Sequence, residues 1–288
     1  MNFLSPAQEK ATHAALKRHY KAVAFDIDGT LTELSRWTIP ETLCEVLNSL
    51  PREVPLAFCT GRSMEHIQGK LAHIFKKAPD EDVQRKRWHI LSENGGAGFT
   101  WNPRKKDYEK FLDVTWPNSV ITQDTLEAFI KDKLGWTAQF IIKEHSMVIR
   151  FHDWLYLFPR LVRLVSSRTA KKLHHLFAKM GIQKDLLIQD SGVGNLIIPK
   201  ESGKGKAVAR WAKHLDIPLS DILVIGDQAN SGENDEEFLC GNYGTPFTVG
   251  RQTSNLYPLP VLDERGRKLW GPRGTEYLLR KSFSQLFS

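Results

Sequence analysis

Cysteine is scarce in this chain: Cys44, Cys59 and Cys240 are the 3 among 288 residues, and no C-x-x-C pair occurs. An odd, unclustered set fits a reducing cytoplasm better than a disulfide framework. Long hydrophobic runs are also missing, since no stretch approaches the about 18 apolar residues that a membrane-spanning helix needs. The N-terminal segment MNFLSPAQEKATHAALKRHYK is amphipathic and lacks the apolar core and cleavage site of a secretory signal. These absences predict a soluble, untargeted, cytoplasmic protein with no membrane partner. Internal repeats and low-complexity stretches are absent too. Core-forming residues are not in short supply: 41% hydrophobic and 25% charged are ordinary globular values, which excludes global disorder, and the length predicts roughly two domains. Acidic residues are outnumbered by basic ones, 33 against 40, and the formal charge of +7 points to an anionic partner.

Three apolar runs in the first third end in Gly-rich or polar punctuation: KAVAFDIDG at 21–29, PLAFCTG at 55–61 and WHILSENGG at 88–96. Unbroken apolarity of this length predicts strands buried on both faces. Helical patterns lie between them. PETLCEVLNSL has Pro40 at its start and Leu43, Val46, Leu47 and Leu50 on one face, and SMEHIQGKLAHIF has Ser63 as its expected cap. The alternation predicts βαβαβ around a parallel sheet. NLIIPK at 195–200, DILVIGD at 221–227 and GTPFTVG at 244–250 read as further strands of that sheet, with the helix GKAVARWAKHLD between the first two. From 98 to 192 the texture changes. FIIKEHSMVIRFHDW predicts a pair of strands, TQDTLEAFIKDKLG and RLVRLVSSRTAKKLHHLFAKMG predict amphipathic helices, and the whole reads as an inserted second domain between core segments 1–97 and 193–288.

The segment most informative about chemistry is Phe25-Asp26-Ile27-Asp28-Gly29-Thr30-Leu31-Thr32. Two carboxylates two residues apart at the end of a buried strand repel and are desolvated unless a cation or a phosphate-handling role stabilises them. A calcium loop is excluded, because Gly29 stands fourth in the pattern where that loop needs glycine sixth.

DIDGTLT, Asp26 to Thr32, resembles the signature of the haloacid dehalogenase-like phosphohydrolases. The resemblance implies that Asp26 is a nucleophile forming an aspartyl-phosphate, and that Asp28 is the general acid/base. A carboxylate nucleophile divides one hard displacement into two, and a neighbouring carboxyl supplies the proton. Three further elements of that family follow in order at strand ends. Thr60-Gly61-Arg62 offers a hydroxyl and the Gly61 and Arg62 amides to phosphate at a strand-to-helix turn, with Arg62 as an alternative substrate contact. In Ser202-Gly203-Lys204-Gly205-Lys206-Ala207 the family's Lys-Gly-x-Ala pattern falls on Lys204, which would offset the charge of carboxylate and phosphate brought together. A Walker-type phosphate loop does not fit: Ile198 stands where its first Gly belongs and Gly205 where Ser or Thr should follow the lysine. The fourth element is GDQANSGENDEE, Gly226 to Glu237. It places Asp227 with Asp26 on a hard divalent cation, Mg²⁺, with the Asp28 backbone carbonyl as a further family-implied ligand and Asn234 and Asp235 in support.

Between Asp28 and Cys59 there is room for a helical crossover; between Arg62 and Lys204 there is room for a domain. The insert therefore falls where the branch with a large α/β cap carries it, and Glu93-Asn94-Gly95 resembles the segment found at that cap junction. The implied architecture is an α/β, three-layer Rossmann-like core with an inserted α/β cap. The implied activity is hydrolysis of a small phosphorylated metabolite, a sugar phosphate by analogy with the branch. Six residues separate Asp227 from Asn234 where most of the branch has two, and this longer form resembles eukaryotic-type phosphomannomutases. Their Asn-Val-Ser-Pro cap segment is missing here, so a mutase stands second to a phosphatase. Candidate specificity residues in the cap are Lys143, His145, Arg150, His152 and Trp154, the first pair and Arg150 with His152 sharing strand parity. Lys171, Lys172, His174 and His175 read as a solvated helix face. A nucleic-acid partner is not expected, since the 8 Trp are scattered and no segment interleaves them with basic residues. Residues 100–190 hold 15 Lys plus Arg against 10 Asp plus Glu, so +5 of the net +7 lies in the insert.

Overall fold

A computed structural model describes residues 4–33, 38–75, 81–134, 138–190, 194–230, 233–251 and 255–283. The chain opens with α1 (Pro6–Leu16), β1 (Ala22–Phe25), α2 (Glu41–Ser49), β2 (Leu56–Cys59), α3 (Met64–Phe75), α4 (Glu81–Arg87) and β3 (Trp88–Ser92). β4 (Ala97–Asn102) and β5 (Asp107–Asp113) follow, then α5 (Gln123–Leu134), β6 (Ala138–Ile142), β7 (Met147–Phe151), α6 (Pro159–Met180), β8 (Leu186–Asp190) and β9 (Gly194–Pro199). The chain returns through α7 (Lys204–His214), β10 (Ile222–Gly226), α8 (Glu236–Leu239), β11 (Thr245–Thr248), β12 (Leu259–Pro260) and α9 (Gly271–Ser282).

Eight strands form one sheet in the order β12-β11-β10-β1-β2-β3-β4-β5, and four form a second in the order β6-β7-β9-β8. In the large sheet β12 through β3 run parallel, while β4 and β5 add an antiparallel margin. The period-2 alternation of its strands feeds two separate apolar layers. Val23, Phe25, Phe58, Trp88, Ile90 and Ile225 pack with Leu43 and Leu47 of α2, Ile67 and Leu71 of α3 and Leu278 of α9. Ala22, Ala24, Ala57, Leu91 and Val224 meet Val208 and Trp211 of α7 and Phe238 of α8 on the other face. The layered α/β core inferred from the βαβ alternation is thus the one observed. The second sheet has its own core, in which Met147, Ile149 and Ile197 pack against Leu126 and Ile130 of α5 and Leu173 and Phe177 of α6.

Sheet membership departs from the sequence reading at two places. Residues 195–200 were expected in the large sheet, but β9 is an interior strand of the small one, between β7 and β8 and buried along its length. Burial on both faces makes such a strand apolar in either sheet, so its composition does not say which sheet owns it. Conversely β4 and β5 lie beyond residue 97 yet extend the large sheet, and their half-exposed pattern is that of a sheet margin. The expected return to the core at 192/193 lies outside the described residues. Among those described, no helix is long and apolar enough to cross a membrane.

One buried titratable group lies between the layers. His89 of β3 is 4% exposed, its ring centroid is 5.6 Å from that of Trp211, and burial, helped by His214, pushes its pKa down to about 3. An unfolded histidine titrates near 6.5, so below that pH the unfolded chain takes up a proton that the folded one refuses, and stability falls as pH falls toward 3. His89→Leu removes that contribution. Urea unfolding of the two proteins at about pH 7 and pH 5 should show the wild type losing about 2 kcal/mol more than the variant between them; equal losses would show that His89 carries no such linkage.

Candidate active site

The carboxyl ends of β1, β2 and β10 lie side by side, because Phe25 is in register with Phe58 on one side and Ile225 on the other. The chain proceeds from β1 to β2 and β3 in one direction and reaches β10 in the other, so β1 and β10 flank the topological switch point where open α/β sheets bind ligands. Asp26 is the first residue beyond β1, and its amide still donates to Ile225 O at 2.9 Å, which fixes the backbone that carries the carboxylate. The loop then folds on itself: the amides of Thr30, Leu31 and Thr32 all donate to Ile27 O, and Thr275 Oγ1 of α9 donates to Thr30 O at 2.8 Å.

Three of the predicted elements meet at Lys204. Its ammonium, 1% exposed at the start of α7, donates to Asp26 Oδ1 and to Asp235 Oδ1, each at 2.6 Å. Asp235 Oδ2 accepts from the amides of Asp227 and Gln228 at 3.2 and 3.3 Å, so one carboxylate orients both the lysine and the loop that carries Asp227. Lys206, the other lysine of the motif, reaches out to Lys200 O instead. The two glycines that seat α7 are required sterically. Gly203 has φ +140°, and a Cβ there would stand 2.1 Å from Glu237 Oε2; a Cβ on Gly95 would stand 2.4 Å from Gly203 O.

Asp26, Asp227 and Asp235 each bring a carboxylate oxygen within 4.8 Å of the others. Burial raises the carboxyls of both Asp26 and Asp227 well above the usual range; Lys204 works against this, and the charge of Asp235 adds to it. Burial alone would lower the Lys204 ammonium, but Asp235 and Asp26 together hold it above its ordinary value. Asp227 Oδ1 and Asn234 Oδ1 are buried without a hydrogen-bond partner among the described residues. An all-oxygen donor set with two orphaned acceptors and more buried negative charge than one lysine balances fits a hard divalent cation such as Mg²⁺.

The Thr60-Gly61-Arg62 turn follows β2. Thr60 is 1% exposed and its Oγ1 accepts from the Arg62 amide at 3.2 Å. The Arg62 guanidinium forms a two-pronged pair with Asp28, Nε to Oδ2 at 2.8 Å and Nη2 to Oδ1 at 2.9 Å. This pairing between the first and second elements is absent from the sequence reading, which gave Arg62 to phosphate or substrate; spacing shows a residue's segment and not the direction of a long side chain.

The Glu93-Asn94-Gly95 segment, noted only for its position, turns out to tie these parts together. Asn94 N donates to Thr60 O at 2.8 Å and Asn94 O accepts from Gly203 N at 2.8 Å, joining the turn after β2 to the start of α7. Glu93 and Asn94 both have positive φ, 48° and 52°, which for Glu is a strained conformation held by its surroundings. Buried Glu93 accepts from His145 N at 2.9 Å and Ser146 Oγ at 3.0 Å, contacts that reach the second sheet.

Of the cap candidates, Lys143 comes to the site: its Nζ donates to Gly61 O at 2.8 Å. His145 does not share a strand face with it, because residues 143–146 form the turn between β6 and β7, where parity no longer applies; His145 is 2% exposed at the junction of the two sheets. Arg150 is exposed, pairs with Asp153 at 2.6 Å and lies 5.4 Å from the Tyr156 ring, and His152 Nδ1 is 3.2 Å from Gln139 Nε2. Trp154 is 51% exposed in the turn after β7, and Lys171, Lys172, His174 and His175 lie on the solvated face of α6 as expected. Ser231 and Gly232 of the fourth element lie outside the described residues.

Comparison with known proteins agrees with this arrangement. Residues 160–239 match the haloacid dehalogenase-like hydrolase family. The chain is 27% identical to a phosphoglycolate phosphatase of Picrophilus torridus over 73% of its own length and 72% of the relative's, and 23% identical to an HMP-PP phosphatase of Serratia proteamaculans over 74% and 80%. The fold matches the sucrose-phosphatase of Synechocystis sp. PCC6803 in complex with sucrose and phosphate with a TM-score of 0.60, at 16% identity, over 94% of this chain and 99% of that one. It also matches the IMP-bound IMP-nucleotidase of Plasmodium falciparum with a TM-score of 0.65, at 16% identity, over 93% and 69%. With its four sequence elements gathered at the switch point of such a fold, the chain is similar to the haloacid dehalogenase-like hydrolases, and it is a phosphoric monoester hydrolase.

Proposed function

We propose that the chain is a Mg²⁺-dependent phosphatase that hydrolyses a small phosphorylated metabolite, a sugar phosphate in the first instance, through a phosphoenzyme on Asp26. The observation that carries this reading is the buried set of Asp26, Asp227 and Asp235 around the Lys204 ammonium at the carboxyl ends of β1 and β10. Asp26, Asp227 and the Asp28 carbonyl would hold Mg²⁺, with Asn234 and Asp235 supporting the loop. The ion supplies positive charge that screens the nucleophile from the phosphoryl oxygens.

The chain's own residues perform the remaining work. Lys204 opposes the burial that disfavours the Asp26 carboxylate and adds its charge to the site; Thr60 and the Gly61 and Arg62 amides hold the phosphoryl oxygens at the start of α3. Asp26 attacks phosphorus as the bond to the leaving oxygen breaks, and Asp28 gives that oxygen its proton. Asp28, now a carboxylate, takes a proton from water as the water attacks the phosphoenzyme, which releases phosphate and restores Asp26. Arg62 pairs with both oxygens of the Asp28 carboxylate before substrate arrives, and a phosphate entering beside Arg62 would draw the guanidinium toward itself and release Asp28 for its part in proton transfer. The four-stranded sheet with α5 and α6 serves as the cap, and Lys143, hydrogen bonded to Gly61 O, is the cap residue placed to meet the substrate. Arg150 and His152 belong to the same proposed cap surface. The named relatives act on differing phosphorylated molecules, so the sugar phosphate rests on the branch alone. A cytoplasmic location with neither nucleic acid nor membrane as partner goes with this reading, and the scarce, unclustered cysteines support the location.

Three measurements test this reading. With p-nitrophenyl phosphate, turnover should require Mg²⁺ and fall by more than about a thousandfold in Asp26→Asn, while the variant unfolds normally; undiminished turnover would exclude Asp26 as nucleophile. Asp28→Asn should lower kcat at least about a hundredfold, and Arg62→Ala should lower it less, because Asp28 remains but loses the partner that orients it. A panel of phosphorylated metabolites followed for free phosphate and for isomerised product should yield phosphate; isomerised product instead would favour the phosphomannomutase-like reading prompted by the six residues between Asp227 and Asn234.

A further inference from the structure

A second group of metal-ligating side chains lies away from the Asp26 cluster, where the two sheets join. Asp113 ends β5 at the margin of the large sheet, and Glu144 and His145 occupy the turn between β6 and β7 of the small one. His145 is 2% exposed, so its ring cannot turn to solvent for a partner. Its Nδ1 is 3.0 Å from Val114 O. A carbonyl only accepts, so Nδ1 carries the proton and, in the neutral ring, Nε2 is left with a bare lone pair. Nε2 is buried, makes no hydrogen bond among the described residues, and lies 3.4 Å from Asp113 Oδ1 and 3.5 Å from Glu144 Oε1.

A lone pair this close to two carboxylates is repulsive unless a proton or a metal ion stands between them. Part of that charge is already supplied by Lys110, whose Nζ is 3.1 Å from Asp113 Oδ1 and 2.9 Å from Glu144 Oε1. Lys110 spends its contacts on the two carboxylates, and among the described residues no donor reaches Nε2. The distances fit a metal: with bonds of about 2.1 Å, tetrahedral coordination separates ligand atoms by roughly 3.4 Å. The histidine also has the outer partner typical of a ligating imidazole, an Nδ1–H held by a backbone carbonyl. Two further contacts fix it before any metal arrives, the His145 amide on Glu93 Oε2 at 2.9 Å and the backbone of Gly96, where a Cβ would stand 2.3 Å from His145 Cβ.

We propose that Asp113 Oδ1, Glu144 Oε1 and His145 Nε2 form a site for a borderline divalent metal, Zn²⁺ by preference, that links the large sheet to the β6–β7 turn. An imidazole nitrogen with two carboxylates selects zinc over magnesium, in contrast to the all-oxygen set at Asp26. Water completes the fourth position. Binding displaces the Lys110 ammonium, whose side chain is 30% exposed and free to swing outward.

The test is equilibrium dialysis of the full chain against ZnCl₂ with Mg²⁺ in large excess, together with thermal unfolding. Asp113 and Glu144 are largely exposed, so Asp113→Asn and Glu144→Gln should fold. The expected result is one zinc per chain and a zinc-dependent rise in Tm, affinity at least about tenfold weaker in either variant, tighter in Lys110→Met, and unchanged in Asp227→Asn. The proposal is overturned if the wild-type chain retains no zinc under these conditions, or if zinc persists in Asp113→Asn and Glu144→Gln and is lost in Asp227→Asn.

Discussion

The Lys204 ammonium between Asp26 and Asp235 is the contact on which the other parts of the site depend. Buried opposite charges at 2.6 Å repay their desolvation only when the geometry is good and every other polar atom nearby is also served. Here both conditions shape the surroundings. Asp235 turns its second oxygen to the amides of Asp227 and Gln228, Gly203 admits the backbone that puts Lys204 at the first turn of α7, and Asn94 ties that glycine to the turn after β2. Removing the lysine would leave two carboxylates buried without their partner, so this residue stabilises the fold and organises the chemistry at once.

A lysine at a helix N-terminus is electrostatically unfavourable by itself, because the helix dipole is positive there. The position is sustained by the two carboxylates that converge on it from β1 and from the loop before α8. That convergence depends on the parallel register of β1 and β10, whose apolar alternation is set by the two helical layers they separate. Core packing therefore determines where the charges end, and the charges determine what the end of the sheet can bind.

The two sheets meet through a short set of polar contacts around Glu93 and His145. Glu93 holds the β6–β7 turn by a backbone amide and a serine hydroxyl, and Lys143 in the same turn reaches Gly61. The strained backbone of Glu93 and Asn94 lies where the phosphate turn, the start of α7 and the second sheet all touch. Strain held at such a crossing is consistent with a junction whose two sides must keep a defined relation.

The sequence by itself determined the elements that local rules govern. Apolar runs ending in Asp26, Thr60 and Asp227 identified the strands and the order of the chemical motifs, because a strand buried on both faces cannot be polar and the residues just beyond it can. Lys204 rather than Lys206 was legible from motif spacing, and the wet face of α6 from charge periodicity. Tertiary structure alone decided the rest. The placement of β9 in the small sheet, the pairing of Arg62 with Asp28, the loss of shared parity between Lys143 and His145, and the bridge built by Glu93 and Asn94 all depend on which segments distant in sequence become neighbours. Burial and periodicity report that a residue is covered; only the packed structure says what covers it.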